Sequence, residues 1–297
     1  MRECYVQAPC KINLGLNVVG VRPDGYHLLE MVMQAVSLQD TLRLSLEGAG
    51  GIRLDCGLPG LPNDGRNLAY RAAELFFRHT GRAAGLTIQV TKRIPMQAGL
   101  AGGSADAAGV LAGLNVLLDT GLPLEELCQL GASLGADVPF CLTGGAALVE
   151  GIGERITPLP PLQTGWILLV KPRQGVDTAA SFRRYDQLTW TPPGASTPLL
   201  REGMEQGNLA LVARGLGNQL EAVCQLPDIP RYKERLLELG AVGSLMSGSG
   251  SAVFGLFPQE AQAARAFDLL QAQGEQVYLC RPLPHGPLVL PTPPEGL

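Results

Sequence analysis

The chain has 297 residues, 46% of them hydrophobic and 17% charged, a globular composition that excludes disorder. Its formal net charge of −4, with no run of like charges, excludes the basic stripe of a nucleic-acid binder. No apolar stretch is long enough to span a bilayer, the first residues lack the basic-then-apolar layout expected of a secretion signal, and the seven scattered cysteines contain no CxxC pair. A cytoplasmic protein with free thiols, no membrane partner and no nucleic-acid partner is therefore expected. The three histidines, His27, His79 and His285, give no metal-ligand set, and no metal residues are assigned.

The length suits two domains. Residues 6–19 read as extended, with a break at Pro9. Residues 41–46 alternate Leu with polar residues, as a half-buried strand does. Residues 67–80 read as a helix with Leu68, Ala72, Leu75 and Phe76 on one face. Leu86, Ile88 and Val90 alternate with Thr87, Gln89 and Thr91 as another strand. A glycine loop follows, then helices over 104–118 and 124–134, the second preceded by Pro123. The proline-rich residues 157–164 mark a boundary. A strand over 166–170, a loop over 186–198, helices over 208–224 and 231–239, a strand over 251–257 and a helix over 259–273 complete the body. Six prolines in the last sixteen residues read as a poorly ordered tail. Strands and helices interleave without the tight alternation of a parallel sheet, so the expected class is α+β. The expected domains are 1–160 and 161–283, followed by a proline-rich tail, 284–297.

The strongest signal is PMQAGLAGGSADAA, residues 95–108, between a strand and a helix. Gly99, Gly102 and Gly103 remove side chains where backbone N–H groups must approach an anion. Ser104 is expected at the cap of the following helix, whose orphan donors and partial positive charge complete a phosphate cradle. No GK[ST] follows, so this is not a Walker loop. A dinucleotide fingerprint is a second reading, since Asp119 lies 20 residues beyond Gly99, but the Gly-x-Gly-x-x-Gly spacing is missing. A plain glycine turn with a Ser N-cap is a third.

The loop resembles the PMGGGLGGGSSDAA loop of the GHMP kinases. Two further segments resemble motifs of that family in the same order: APCKINLGLNVVGVRPDGYH (8–27) and MSGSGSAVFGL (246–256). The resemblance implies a two-domain α+β kinase with its active site in the interdomain cleft. It implies ATP, Mg²⁺ and a small alcohol substrate carrying a cytidine diphosphate group. It implies catalysis by Asp137, as base, with Lys11 beside it. Read from the residues alone, Asp137 is equally an N-cap for a helix with Pro139 in its first turn, and Lys11 an edge-strand or snorkelling residue. Asn13 falls on the Lys11 face by the two-residue strand period and is expected to hydrogen-bond substrate.

The same resemblance assigns the nucleotide to Asn67, Leu68 and Lys92 and to the loop itself: Pro95, Met96, Gln97, Ala98, Gly99, Leu100, Ala101, Gly102, Gly103, Ser104 and Ala105. Alone, Asn67 is a helix cap, Leu68 core and Lys92 a solvated strand end. The cytidine part falls to Tyr26 and His27, with Thr178 and Phe182 as the second half of a clamp and Phe182 on the opposite face of the base. Ser247 and Gly248 begin a turn suited to a diphosphate or to bracing the site. Gln97, Ala98, Ala101 and Ala105 depart from the family's usual Gly or Ser. Alanine tolerates positive φ poorly, so all four are expected in ordinary backbone regions. Two rival functions share the scaffold: a kinase for another small alcohol (homoserine, mevalonate or a sugar), and a non-catalytic nucleotide-binding protein.

Overall fold

The computed structural model describes residues 2–48, 50–82 and 84–294. Two long antiparallel strands, β1 (Glu3–Val21) and β2 (His27–Glu47), form its spine. Even-numbered residues from Cys4 to Leu14 pack into the main core, which turns Lys11 and Asn13 to the opposite face. β1 runs through Pro9 without ending; a register shift between Pro9 and Cys10 absorbs the missing N–H. The chain continues through β3 (Ile52–Asp55), α1 (Leu68–Thr80), β4 (Gly85–Thr91), α2 (Gly102–Leu117), α3 (Leu124–Ala132), α4 (Val138–Thr143), β5 (Ala146–Gly151) and β6 (Arg155–Leu159). Then come β7 (Trp166–Lys171), α5 (Thr178–Tyr185), α6 (Thr197–Glu205), α7 (Leu209–Gly215), β8 (Gly217–Asn218), α8 (Asp228–Glu238), β9 (Gly243–Met246), β10 (Val253–Phe257), α9 (Glu260–Ala272), β11 (Gln276–Cys280) and β12 (Leu288–Leu290).

Among the described residues these strands make one sheet of eight and one of four. The larger sheet runs β12-β1-β2-β4-β3, with β5 and β6 continuing from the other half of β2 and β8 added to β1. Helices α1 and α2 cover it through Phe76, Val110, Leu111 and Leu114. The smaller sheet, β11-β7-β10-β9, is antiparallel throughout. Its core brings Tyr232 and Leu236 of α8 and Ala266 and Leu270 of α9 together with Met31, Met33 and Val149 from the larger sheet. Both cores thus rest on β2, and the cleft opens along the junction.

Four expectations need correction. The helix over 208–224 is broken: Leu216 is extended (ψ 137°), β8 pairs with Gly15 and Leu16 of β1, and a short 3-10 turn, Gln219–Val223, follows. Pairing with the central strand outweighs local helix propensity there. Much of the loop over 186–198 is irregular as expected, but α5 before it and α6 at its end are helices the periodicity did not mark. The tail carries a strand. Leu288, Val289 and Leu290 pair antiparallel with Gln7, Val6 and Tyr5, between Pro287 and Pro291, which lack the N–H to extend the ladder. Helix α2 also starts two residues earlier than expected, so Ser104 lies inside its first turn and Ala101 holds the N-cap position. All seven cysteines are free thiols. Among the described residues no helix is long and apolar enough to cross a membrane.

Candidate active site

The pleat of β1 delivers Lys11 and Asn13 together, with Lys11 Nζ donating to Asn13 Oδ1 at 2.5 Å and to the Gly99 carbonyl at 3.0 Å. Lys11 is neither an edge nor a snorkelling residue. It is buried, and its own N–H donates to the Leu100 carbonyl, so the glycine loop docks on the strand beside it. The start of α4 brings Asp137 to the same point, Oδ2 lying 4.0 Å from Lys11 Nζ. Asp137 occupies the N-cap position and makes no side-chain capping bond; its carboxylate, 32% exposed, stays available to the cleft.

The loop is locked from behind by the turn between β9 and β10. Ser247 Oγ donates to the Gly99 carbonyl at 2.9 Å and accepts from the Asn13 N–H at 3.2 Å. A Cβ on Gly99 would stand 2.0 Å from the Ser247 carbonyl oxygen, so only glycine fits. Ser247 is fully buried and braces the loop rather than lining the cleft; Gly248 and Ser249 are the residues of this turn that reach it, Gly248 beside Lys11. The loop's departures behave differently from expectation. Ala98 and Ala105 have ordinary backbones, but Gln97 (φ 50°) and Ala101 (φ 59°) are left-handed. Their carbonyls are held in place: that of Gln97 accepts from Val176 and Ser251 N–H at 3.3 Å each, and that of Ala101 from Ala105 N–H at 2.9 Å. Such bonds over-determine a backbone that would otherwise relax. Ala105 is buried in the core and does not line the cleft.

Past this loop the N–H groups of Gly102, Gly103 and Ser104 donate to no acceptor among the described residues. They are the orphan donors of an exposed helix start, bare and concentrated at the positive end of α2. Beneath them lies a buried triad that sequence reasoning half missed. Lys92 Nζ binds the Asp40 carboxylate and, at 2.6 Å, Asp106 Oδ2, while Asp40 Oδ1 accepts from the Arg93 and Ile94 N–H groups at 2.6 and 2.9 Å. Lys92 is thus a buried anchor and no solvated strand end. Burial opposes its charge, but the two carboxylates outweigh that and raise its pKa. Burial, with Asp40 nearby, pushes the Asp106 carboxyl up despite Lys92.

Asn67 caps α1, Oδ1 accepting from Ala69 N–H at 2.9 Å and Nδ2 donating to the Pro62 carbonyl at 2.9 Å; Leu68 lies beside it against Gly103. Across the cleft, Thr178 Oγ1 is 2.8 Å from Ser249 Oγ, which ties α5 to the bracing turn. Phe182 stacks on His27 itself, centroids 4.5 Å apart, so a base against Phe182 must use its other face. Tyr26 stands 64% exposed at the hairpin tip. Asn218 is a second missed brace: its Nδ2 donates to the Met246 and Gly248 carbonyls at 2.8 and 2.7 Å. Nothing in a segment that reads as helix marks it. Lys171, at the end of β7, also lines the cleft and was not foreseen; burial lowers its pKa, and carbonyls of Pro172 and Gln174 hold it at 2.6 and 3.2 Å.

One cavity of about 1580 Å³ joins Lys11, Asp137, the loop, Lys92, Tyr26, His27, Thr178 and Phe182. A site for one small ligand commonly measures roughly 300–1,000 Å³, so this one has room for two. Family models for the GHMP kinases N terminal domain and the GHMP kinases C terminal match residues 67–145 and 200–276. The chain belongs to the GHMP kinase family. It is an ATP-dependent small-molecule kinase. It is 43% identical to 4-diphosphocytidyl-2-C-methyl-D-erythritol kinase of Carboxydothermus hydrogenoformans over 285 residues, 95% of this chain and 98% of that one. It is also 43% identical to the kinase of that name from Gloeobacter violaceus, over 95% of each chain. A crystal structure of 4-(cytidine 5'-diphospho)-2C-methyl-D-erythritol kinase superposes with a TM-score of 0.78 at 36% identity, covering 93% of this chain and 98% of the other. Homoserine kinase from Cytophaga hutchinsonii superposes with a TM-score of 0.77 at 21% identity, covering 98% of each chain, and shares the fold.

For a GHMP kinase, the fit of Mg²⁺ follows from the oxygen donors at hand. Among the described residues no group of three or more His, Cys, Asp or Glu side chains gathers as a metal site. Mg²⁺ needs only one or two carboxylates when phosphates supply the rest. The Ser104 hydroxyl lies against Gly135, two residues before Asp137, so one hydroxyl and one carboxylate flank the cradle.

Proposed function

We propose that this kinase transfers the γ-phosphate of ATP, with Mg²⁺, to the 2-hydroxyl of 4-diphosphocytidyl-2-C-methyl-D-erythritol. The observation that carries the reading is the meeting, in one cavity, of three bare amides at the start of α2 with a Lys11–Asp137 pair 4.0 Å apart. The substrate follows from the named relatives, and room for a second ligand beside ATP supports it.

The amides of Gly102, Gly103 and Ser104 hold phosphate oxygens, and the start of α2 favours their charge. The acceptor hydroxyl sits between Lys11 Nζ and Asp137 Oδ2. Asp137 takes its proton as the oxygen bonds to the γ-phosphorus and the bond to the β-phosphate oxygen breaks. Lys11, fixed by Asn13 and the Gly99 carbonyl, offsets the charge that develops on the attacking oxygen without having to move. Ser104 and Asp137 are the protein oxygens that would hold Mg²⁺, which would supply neutralising charge for the transferring group.

The test is Asp137→Ala, followed by substrate-dependent ADP release. Loss of a general base lowers kcat by roughly 10²–10⁴-fold. A fall of about threefold or less removes Asp137 from this role. CDP should compete with the alcohol substrate and not with ATP.

A further inference from the structure

The cytidine end of the cleft holds a charged group that phosphoryl transfer does not use. The His27 ring is restrained on three sides: Phe182 covers a face at 4.5 Å and 24°, Tyr185 meets it edge-on at 6.4 Å and 87°, and Asp186 Oδ1 lies 2.6 Å from Nε2. Tyr185 is itself fixed, its hydroxyl donating to Gln219 Oε1 at 3.1 Å, an oxygen that also takes the Val18 N–H at 2.7 Å. The His27 side chain is 10% exposed although Asp186 is 51% exposed. A surface ion pair needs no such housing.

A carboxylate only accepts, so Nε2 must carry a proton. Nδ1 has no hydrogen-bond partner among the described residues, and His27 lines the cavity. In the neutral ring held this way, Nδ1 is a bare lone pair. We propose that Asp186 is a positioning residue that selects the nucleobase: by accepting a hydrogen bond from Nε2–H it keeps the proton on Nε2 and presents His27 Nδ1 as an acceptor, matched to the exocyclic amine of cytosine. Uracil carries a carbonyl oxygen at that position and meets lone pair with lone pair. Without Asp186 the ring is free to carry its proton on Nδ1 and to donate to uracil. The inference rests on the cytidine reading above.

The experiment compares wild type with Asp186→Ala at pH 8, using the cytidine substrate and its uridine counterpart. An unmatched buried acceptor costs about 1–3 kcal/mol, or about 5–150-fold. The expected result is a KM for the cytidine substrate raised about tenfold and a cytidine-over-uridine preference in kcat/KM reduced about tenfold or more. The KM for ATP stays within about twofold, a split that general loosening of the fold would not give. Histidine ¹⁵N shifts, assigned to His27 through His27→Gln, should show the proton on Nε2 in wild type and shared between the nitrogens in the variant. Should Asp186→Ala fail to fold, Asp186→Asn replaces it: a carboxamide accepts or donates, so the base preference must still fall. An unchanged preference in a folded variant, or a wild-type proton on Nδ1, overturns the inference and leaves the substrate assignment standing. A wild type that does not turn over the cytidine substrate overturns both.

Discussion

Ala101 and Gln97 show how the cradle tolerates residues that its turns would not choose. A left-handed alanine is strained by about 1–2 kcal/mol, and glycine relieves the strain at the expense of a more flexible unfolded chain. Ala101→Gly is therefore expected to raise stability by about 0.5–1 kcal/mol in urea denaturation; an unchanged or lower midpoint would mean that this backbone carries no strain. Asp106 allows a second prediction. Its carboxyl is raised from 3.8 to about 8, with burial the largest cause. The folded state therefore holds a proton that the unfolded state releases between these values. That contribution to stability is complete below pH 3.8 and is lost as pH rises through about 8. Asp106→Asn cannot lose it. Its Tm relative to wild type should climb between pH 5 and pH 9; a constant difference would show that Asp106 is already ionised at pH 5.

The elements differ in how far local pattern revealed them. Strands with clean alternation, such as β4, and helices with a strong apolar face, such as α1, stand where periodicity put them, within a residue or two. Lys11 and Asn13 share a face because a strand's period is two, and that was legible before any fold was known. What was not legible depended on distant partners. β8 is two residues long and exists because β1 offers an open edge; β12 is set between prolines and exists for the same reason. The left-handed Gln97 is held by Val176 and Ser251, far along the chain, and Asn218 braces a turn that begins 28 residues later. No local rule reaches those separations. The tail is more than a cover for an edge. Gly144, the C-cap of α4, would place a Cβ 2.0 Å from the Gly286 nitrogen, so the tail packs on the helix that presents Asp137. A chain ending at Pro284 should melt about 5 °C lower, a loss of about 2 kcal/mol for a domain of this size, and turn over more slowly. Wild-type melting and turnover would show that the tail supports neither.

At the scale of the whole molecule, the protein supplies few oxygens for a cation and many donors for phosphate. Removing Mg²⁺ with EDTA should therefore abolish turnover and leave the Tm of the ligand-free protein unchanged; a lowered Tm would reveal a metal held by the protein alone. The two sheets meet where the site is. Gly99 is wedged beneath the Ser247 carbonyl, and the hydroxyl of that serine ties Gly99 to Asn13. Three places in the chain, separated by as many as 234 residues, must arrive before the loop has its shape. During synthesis the ribosome releases the glycine segment long before the turn that seats it. The growing chain is thus unable to grip nucleotide until its final quarter has emerged, and a fragment ending at residue 160 would be a kinase half without a phosphate site.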